Sequence, residues 1–429
     1  IYIYILMRTR KYKRKSIKTR VAKTIKNIKS SNKHDIKENL KLFLLPSNQY
    51  KSGRCWLFSF LNLLRISTID KYQLKNDFMF SASYMMFWDK YEKANYFLTL
   101  ISKYATHSLD DIHNYFVLNN MMSDGGTWNM LQNIINKYGV VPYEDMKETK
   151  NTINTSNING LLRNKLKVFA KEIRVSKDPK KLIHRQMKQI YKLLCNSISK
   201  PPKHIQYFNG KKIHKSPKDF YKNYIQSIKG NDVNKKILFL NAPHLKYNQY
   251  YLIKELNNMD NDNDILYFNV NTKELHTYIV NSLKDNVPVW FGSDYDKFNY
   301  KDESILNNQL FSNSDSKKKL YLNKENAIPL YQTNVNHAML LTGFYYNKSK
   351  DKPNYWIVEN SHDNKLKKIS YENNKGNVIA SNSWFKKYCI LACVDEQYIH
   401  NKDIIEKIKD KKNIIELPKW SNLGELLVT

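Results

Sequence analysis

From Cys55 to about Leu118 the apolar residues recur at intervals of three and four. Trp56, Leu57, Phe60, Leu61 and Leu64 set the pattern, which predicts buried helix. Asp124-Gly125-Gly126 is a turn signal. A further helical stretch runs from Trp128 to Tyr138, and Gly139 closes it as a C-cap. Residues 145–160 are polar and rich in Asn and Thr, which predicts a surface loop. Residues 161–200 return to helical spacing. From residue 236 the texture changes to short runs with β-branched and aromatic content, at 236–242, 264–270, 288–292, 337–346, 355–360 and 388–394. The chain therefore reads as α+β, helical first and β-rich last.

Five segments follow. Residues 1–34 carry twelve Lys or Arg and no Asp or Glu, the pattern of a solvated, disordered basic arm. Residues 35–145 form a helical lobe, 146–285 a mixed and mainly helical insertion, 286–400 a β-rich lobe, and 401–429 a C-terminal helix and arm.

Composition narrows the function classes. The 429 residues are 41 % hydrophobic and 13 % aromatic, enough for a packed core. The net charge of +32 invites a nucleic-acid reading, but only nine of the 71 basic residues are Arg and 62 are Lys. Abundant Lys, Asn, Ile and Tyr together fit AT-rich coding drift better than selection for base or phosphate contact. No apolar run approaches the roughly 18 residues of a membrane span. The opening Ile1–Leu6 is too short for a signal-peptide core, and Met7 is an alternative start. Four cysteines (Cys55, Cys195, Cys389, Cys393) make no disulfide framework, so a reducing cytoplasmic location is expected.

One of those cysteines has a nucleophile's setting. The stretch Gln49 to Phe58 delivers Cys55 from a Gly53 turn to the start of an apolar helix. Free N–H groups and partial positive charge at a helix N-terminus favour thiolate. Gln49 could donate to a developing oxyanion together with the Cys55 backbone N–H. Taken alone, a free Cys is most often a small buried hydrophobe. His337 begins an apolar strand, and Asn360 ends another 23 residues later. An imidazole can accept and return the thiol proton, and an Asn carbonyl can fix its tautomer.

The order Gln, Cys, His, Asn in this context resembles the bleomycin hydrolases, papain-like cysteine aminopeptidases of the peptidase C1B type. Gln49 and the run Ser52 to Phe58 match the signature around the nucleophile. Further matches include Phe87 to Phe97, Asp124 to Trp128, Tyr138 to Pro142, Pro217 to Tyr221, Asn241 to Pro243, Pro288 to Gly292, His337 to Met339, Val358 to Ser361 and Leu417 to Trp420. The resemblance covers residues 40–429. It implies a papain-like fold with Cys55 as nucleophile, His337 as general base and acid, Asn360 as the His orienter and Gln49 as oxyanion donor. It also implies that Asp124, Gly125 and Gly126 line the substrate site. The C-terminal carboxylate, of Thr429 or of Leu427 after trimming, would hold the amino group of a peptide with a free N-terminus. A homohexameric ring and no cofactor are further implications.

The chain departs from the family at His362-Asp363, where Trp-Gly is usual, at Asn336 in place of Thr, and at Ser293, Tyr295 and Asp296 in place of Cys, Val and Gly. His362 predicts a wetter His–Asn bond and a slower enzyme. The competing reading is a basic, ring-forming polyanion or nucleic-acid binder with weak or lost peptidase activity. No metal site is expected: Cys389 and Cys393 read as core on one strand face, and Asp260, Asp262 and Asp264 lack the Gly and distal Glu of a calcium loop.

Overall fold

The computed structural model describes residues 35–40, 44, 47–260, 265–301, 304–309, 320–347, 353–361, 377–411 and 413–427. The expectations for residues 1–34, Asp262, Asp264, His362, Asp363 and Thr429 lie outside the described residues.

The helical part begins with Cys55–Tyr72, whose residues are buried nearly all the way round. Its buried polar residues Ser59, Asn62 and Thr68 are hydrogen-bonded inside the protein, as a core position requires. Ala82–Lys103 crosses it, followed by Ile112–Asn119 and Trp128–Tyr138. Gly139 ends the last of these at φ +74°, and a Cβ there would lie 2.1 Å from the Pro217 carbonyl. Ser156–Arg174 and Pro179–Ser197 pack on Ala82–Lys103. Residues 145–160 are not the surface loop their polarity predicts. They hold a turn of helix, Lys150–Ile153, and the start of Ser156–Arg174, with Thr152, Thr155 and Asn159 buried. Those polar groups face partners inside the protein, described below.

The β-rich part is one long sheet. From one edge its strands run Ile414–Leu417, Gln249–Ile253, Leu266–Asn269, Lys236–Leu240, Cys389–Asp395, Val289–Ser293, His337–Asn347, Pro353–Glu359, Asn377–Ser381, Ile305–Leu306 and Asn299–Tyr300. Asp35–Asn39 adds to the far half of the His337–Asn347 strand. The sheet thus crosses the boundary expected at 285/286. One face packs on the Cys55–Tyr72 side, and the other carries Thr272–Lys284, Asn382–Tyr388 and Lys402–Lys409.

Cys389 and Cys393 do not share a face. The register shifts between Cys389 and Leu391, a bulge that turns Cys389 toward one core and Cys393 toward the other. An extra residue inverts the inward–outward alternation of a strand. Both are buried, as a core reading requires.

Candidate active site

The Cys55–Tyr72 helix has Arg54 at its N-cap with no side-chain cap. Its first amides are therefore available to an anion. Arg54 is instead drawn inward: it pairs with both oxygens of Glu148 at 3.1 and 2.9 Å and donates to the Thr152 carbonyl at 2.7 Å. This buried fork anchors the turn that carries Cys55.

The His337–Asn347 strand brings its first residues to the end of that helix. The Ala338 N–H points at Cys55 Sγ, 3.4 Å away. His337 Nε2 lies 2.8 Å from Asn360 Oδ1, an N–H donating to the amide carbonyl. That bond leaves Nδ1 as the nitrogen to exchange a proton with sulfur. Asn360 is fully buried, and its Nδ2 donates to Tyr295 Oη at 2.9 Å. The Tyr295 ring packs 4.7 Å from the imidazole. Neighbouring antiparallel strands position all three residues: Val289–Ser293 pairs with His337–Leu341, and Leu340–Tyr346 pairs with Pro353–Glu359.

Gln49 is buried and doubly fixed. Its Oε1 accepts from the Ser361 hydroxyl and its Nε2 donates to the Ser52 carbonyl, both at 2.6 Å. Those partners identify the nitrogen as the end nearer Ser52. An amide nitrogen carries two N–H donors, so a second remains for the cleft that Gln49 lines.

A cavity of about 340 Å³ joins these groups: Gln49, Cys55, Asp124, Gly125, Gly126 and His337 all line it. Trp56 forms its floor, and a Cβ on Gly126 would fall 2.7 Å from the Trp56 ring, so only glycine lets the wall approach. Leu427, in the last described helix Asn422–Leu427, lines the same cavity. The Val335 N–H donates to the Leu426 carbonyl at 3.0 Å, tying that segment to the approach of His337. A second cavity of about 330 Å³ shares Gly125, Gly126 and Leu427 and is lined by Lys93, Arg163, Glu255 and Lys419.

Burial pushes the Cys55 thiol up to about 11, against the pull of the Ala338, Trp56 and Cys55 amides. Burial also lowers His337, while its bond to Asn360 raises it. Burial thus favours the neutral form of both groups, with the proton to be exchanged resting on sulfur. The arrangement can pass that proton from sulfur to imidazole and return it to a leaving amine.

The sequence reading missed the support of the Asp124 wall. Lys90 Nζ meets Asp124 Oδ1 at 2.6 Å, Asn159 donates to the same oxygen at 2.9 Å, and Thr155 to the other at 2.5 Å. Burial alone would raise the Asp124 carboxyl, but Lys90 and these donors hold it well below the usual carboxylate range. Lys93 donates to the Gly125 carbonyl at 2.6 Å. The signal was present as Lys90 and Lys93, three apart within a run dense in aromatic residues. Tyr295 stood out in the sequence only as a departure from the family pattern and Ser361 only as part of the matched run Val358 to Ser361, and neither pointed to its partner.

Over residues 8–424 the sequence matches the Peptidase C1-like family. It is 33 % identical to aminopeptidase C of Listeria monocytogenes over 394 residues, 89 % of this chain and 86 % of that protein. It is 30 % identical to bleomycin hydrolase of Gallus gallus over 404 residues, with the same coverage. The crystal structure of PepW from Lactobacillus rhamnosis HN001 superposes with a TM-score of 0.82 at 28 % identity, covering 91 % of this chain and 89 % of that one.

Proposed function

The chain belongs to the Peptidase C1-like family and is a cysteine aminopeptidase of papain-like fold, and from that premise we propose how its residues divide the work. Cys55 attacks the carbonyl of the first peptide bond of an unblocked peptide. The Cys55 backbone N–H and the Gln49 amide receive the oxyanion. His337, oriented by Asn360, protonates the leaving amine, and water then hydrolyses the acyl-enzyme. The observation that carries this reading is the Ala338 N–H on Cys55 Sγ, which sets the nucleophile beside an Asn-oriented His337.

Exopeptidase action rests on the C-terminal segment. Leu427 lines the cleft, which supports a reading in which the chain's C-terminal carboxylate meets the substrate's amino group. Asp124, Gly125 and Gly126 line the same cavity. The test compares a free aminoacyl amide with its N-acetylated form. A strong preference for the free amine is expected; equal cleavage of both would overturn exopeptidase action.

A homo-oligomer, with the hexamer as the expected form, is supported by one helix face. Leu161, Val168 and Val175 are 46 %, 53 % and 81 % exposed and spaced by seven on and just past Ser156–Arg174. Sedimentation reads the assembly directly. No helix among the described residues is long and apolar enough to cross a membrane. Four free cysteines support a reducing, cytoplasmic location. The +32 charge supports a separate, nonspecific polyanion affinity that should fall steeply with salt.

A further inference from the structure

The sequence supplies no metal-ligand motif, but the fold assembles a ligand set away from the cleft. His107, Asp111 and His113 each offer a donor atom, and these atoms all lie within 4.8 Å of one another. His107 Nδ1 is 3.4 Å from Asp111 Oδ2, and His113 Nδ1 is 3.0 Å from Asp111 Oδ1. One carboxylate oxygen thus faces each ring. Around an ion with ligands at roughly 2.0–2.2 Å, neighbouring donors lie about 2.9–3.4 Å apart in octahedral or tetrahedral geometry. The two His–Asp separations lie in that range, and they are the hydrogen-bond and ion-pair contacts that an ion would replace.

The three side chains sit on a fixed backbone. Arg174 donates to the carbonyls of Tyr104 and His107 at 3.2 and 2.6 Å. The buried Asn114 amide donates to the carbonyls of Tyr104, His107 and Ser108. Asp111 is the N-cap of Ile112–Asn119 and accepts from the His113 N–H at 2.9 Å. Tyr104 stacks on His113 at 4.7 Å and meets His107 edge-on at 5.3 Å, while Trp420 closes on His113 at 5.1 Å. Packing holds the rings in this arrangement.

We propose that His107, Asp111 and His113 form a surface site for a borderline divalent transition-metal cation. Two imidazoles and one carboxylate suit Zn²⁺, Co²⁺ or Ni²⁺ and not the hard, oxygen-seeking Ca²⁺ or Mg²⁺. The ion would join the turn 104–111 to the helix Ile112–Asn119. Phe116 and Val117 of that helix line the cavity beside the cleft, and Trp420 packs on both His113 and Phe116. An occupied site therefore stiffens one wall of that cavity. The inference is independent of the peptidase reading.

The test is calorimetric titration of Zn²⁺ into the full chain carrying Cys55→Ala, because a thiolate beside His337 would compete for zinc. Adding His107→Ala, or separately His113→Ala, is expected to weaken zinc at least tenfold. Asp111→Asn keeps an acceptor at the helix cap and removes the charge, and it should weaken binding as well. Zn²⁺ should also raise the melting temperature of the Cys55→Ala protein and leave the His107→Ala double variant unmoved. Unchanged zinc affinity in the His107→Ala protein, whose side chain is exposed and whose loss does not threaten folding, would overturn the site.

Discussion

Tyr295 accepts a hydrogen bond from the Asn360 amide at 2.9 Å while its ring packs 4.7 Å from His337. One side chain thus serves both partners of the His–Asn bond. The amide is locked with its carbonyl toward the imidazole, and the tyrosine ring packs against the imidazole at a tilt of 42°. Tyr295→Phe should leave Asn360 Nδ2 without its acceptor inside the protein, at a cost of about 1–3 kcal/mol. We expect kcat/KM to fall roughly tenfold with KM little changed, and Tyr295→Ala to fall further. A variant series with KM raised and kcat intact would mean that Tyr295 binds substrate instead.

The ionisations of His337 and Cys55 set the pH profile. Protonation charges His337, which burial holds below its ordinary 6.5. Loss of the thiol proton leaves a thiolate with neutral His337, and burial holds that thiol up to about 11. The kcat/KM profile should therefore be a broad bell, with its acid limb below 6.5 and its alkaline limb above 9. Asn360→Ala removes an influence that raises His337, so its acid limb should move lower still.

The Asp124 wall makes a stability prediction. Lys90 has no solvent exposure and depends on Asp124. Asp124→Ala leaves that cation unpaired, which should cost about 3–5 kcal/mol in urea unfolding. The folded carboxyl is depressed, so its contribution is present above the unfolded value of 3.8 and is lost as pH falls through the lower folded value. Wild type should show an acid-side loss of stability that Asp124→Asn lacks.

Glu359 works in the opposite direction. It precedes Asn360 and is buried against Arg65 and Asn62, and burial raises it to about 7 despite both. A raised carboxyl favours the folded state while protonated. That contribution is full below 4.5 and is lost as pH rises through about 7, an effect of roughly 3 kcal/mol. Glu359→Gln keeps the shape and should flatten the melting temperature between pH 4.5 and 7. A wild-type curve that rises over that interval would contradict the assignment.

Much of this architecture was legible in the chain. Local spacing marked the helix behind Cys55 and the strand behind His337, because burial of one element is written in its own period. Gln49, Cys55, His337 and Asn360 were legible because their order and settings carry chemistry. What stayed hidden depends on contacts distant in sequence. The polar run 145–160 looked solvated because nothing local reveals that Thr155 and Asn159 serve Asp124. Cys389 and Cys393 looked alike because a bulge does not announce itself in alternation. Tyr295 is separated from Asn360 by 65 residues and meets it only when two strands flank a third. His107, Asp111 and His113 are close in sequence, yet only the turn closed by Arg174 and Asn114 makes their donor atoms converge.

The central claim is that Cys55 is the nucleophile, and the most direct measurement is hydrolysis of an aminoacyl fluorogenic amide by wild type and by Cys55→Ala at equal concentration. The account predicts turnover by wild type and a fall of at least about a thousandfold in the variant. Equal rates in the two proteins would contradict it.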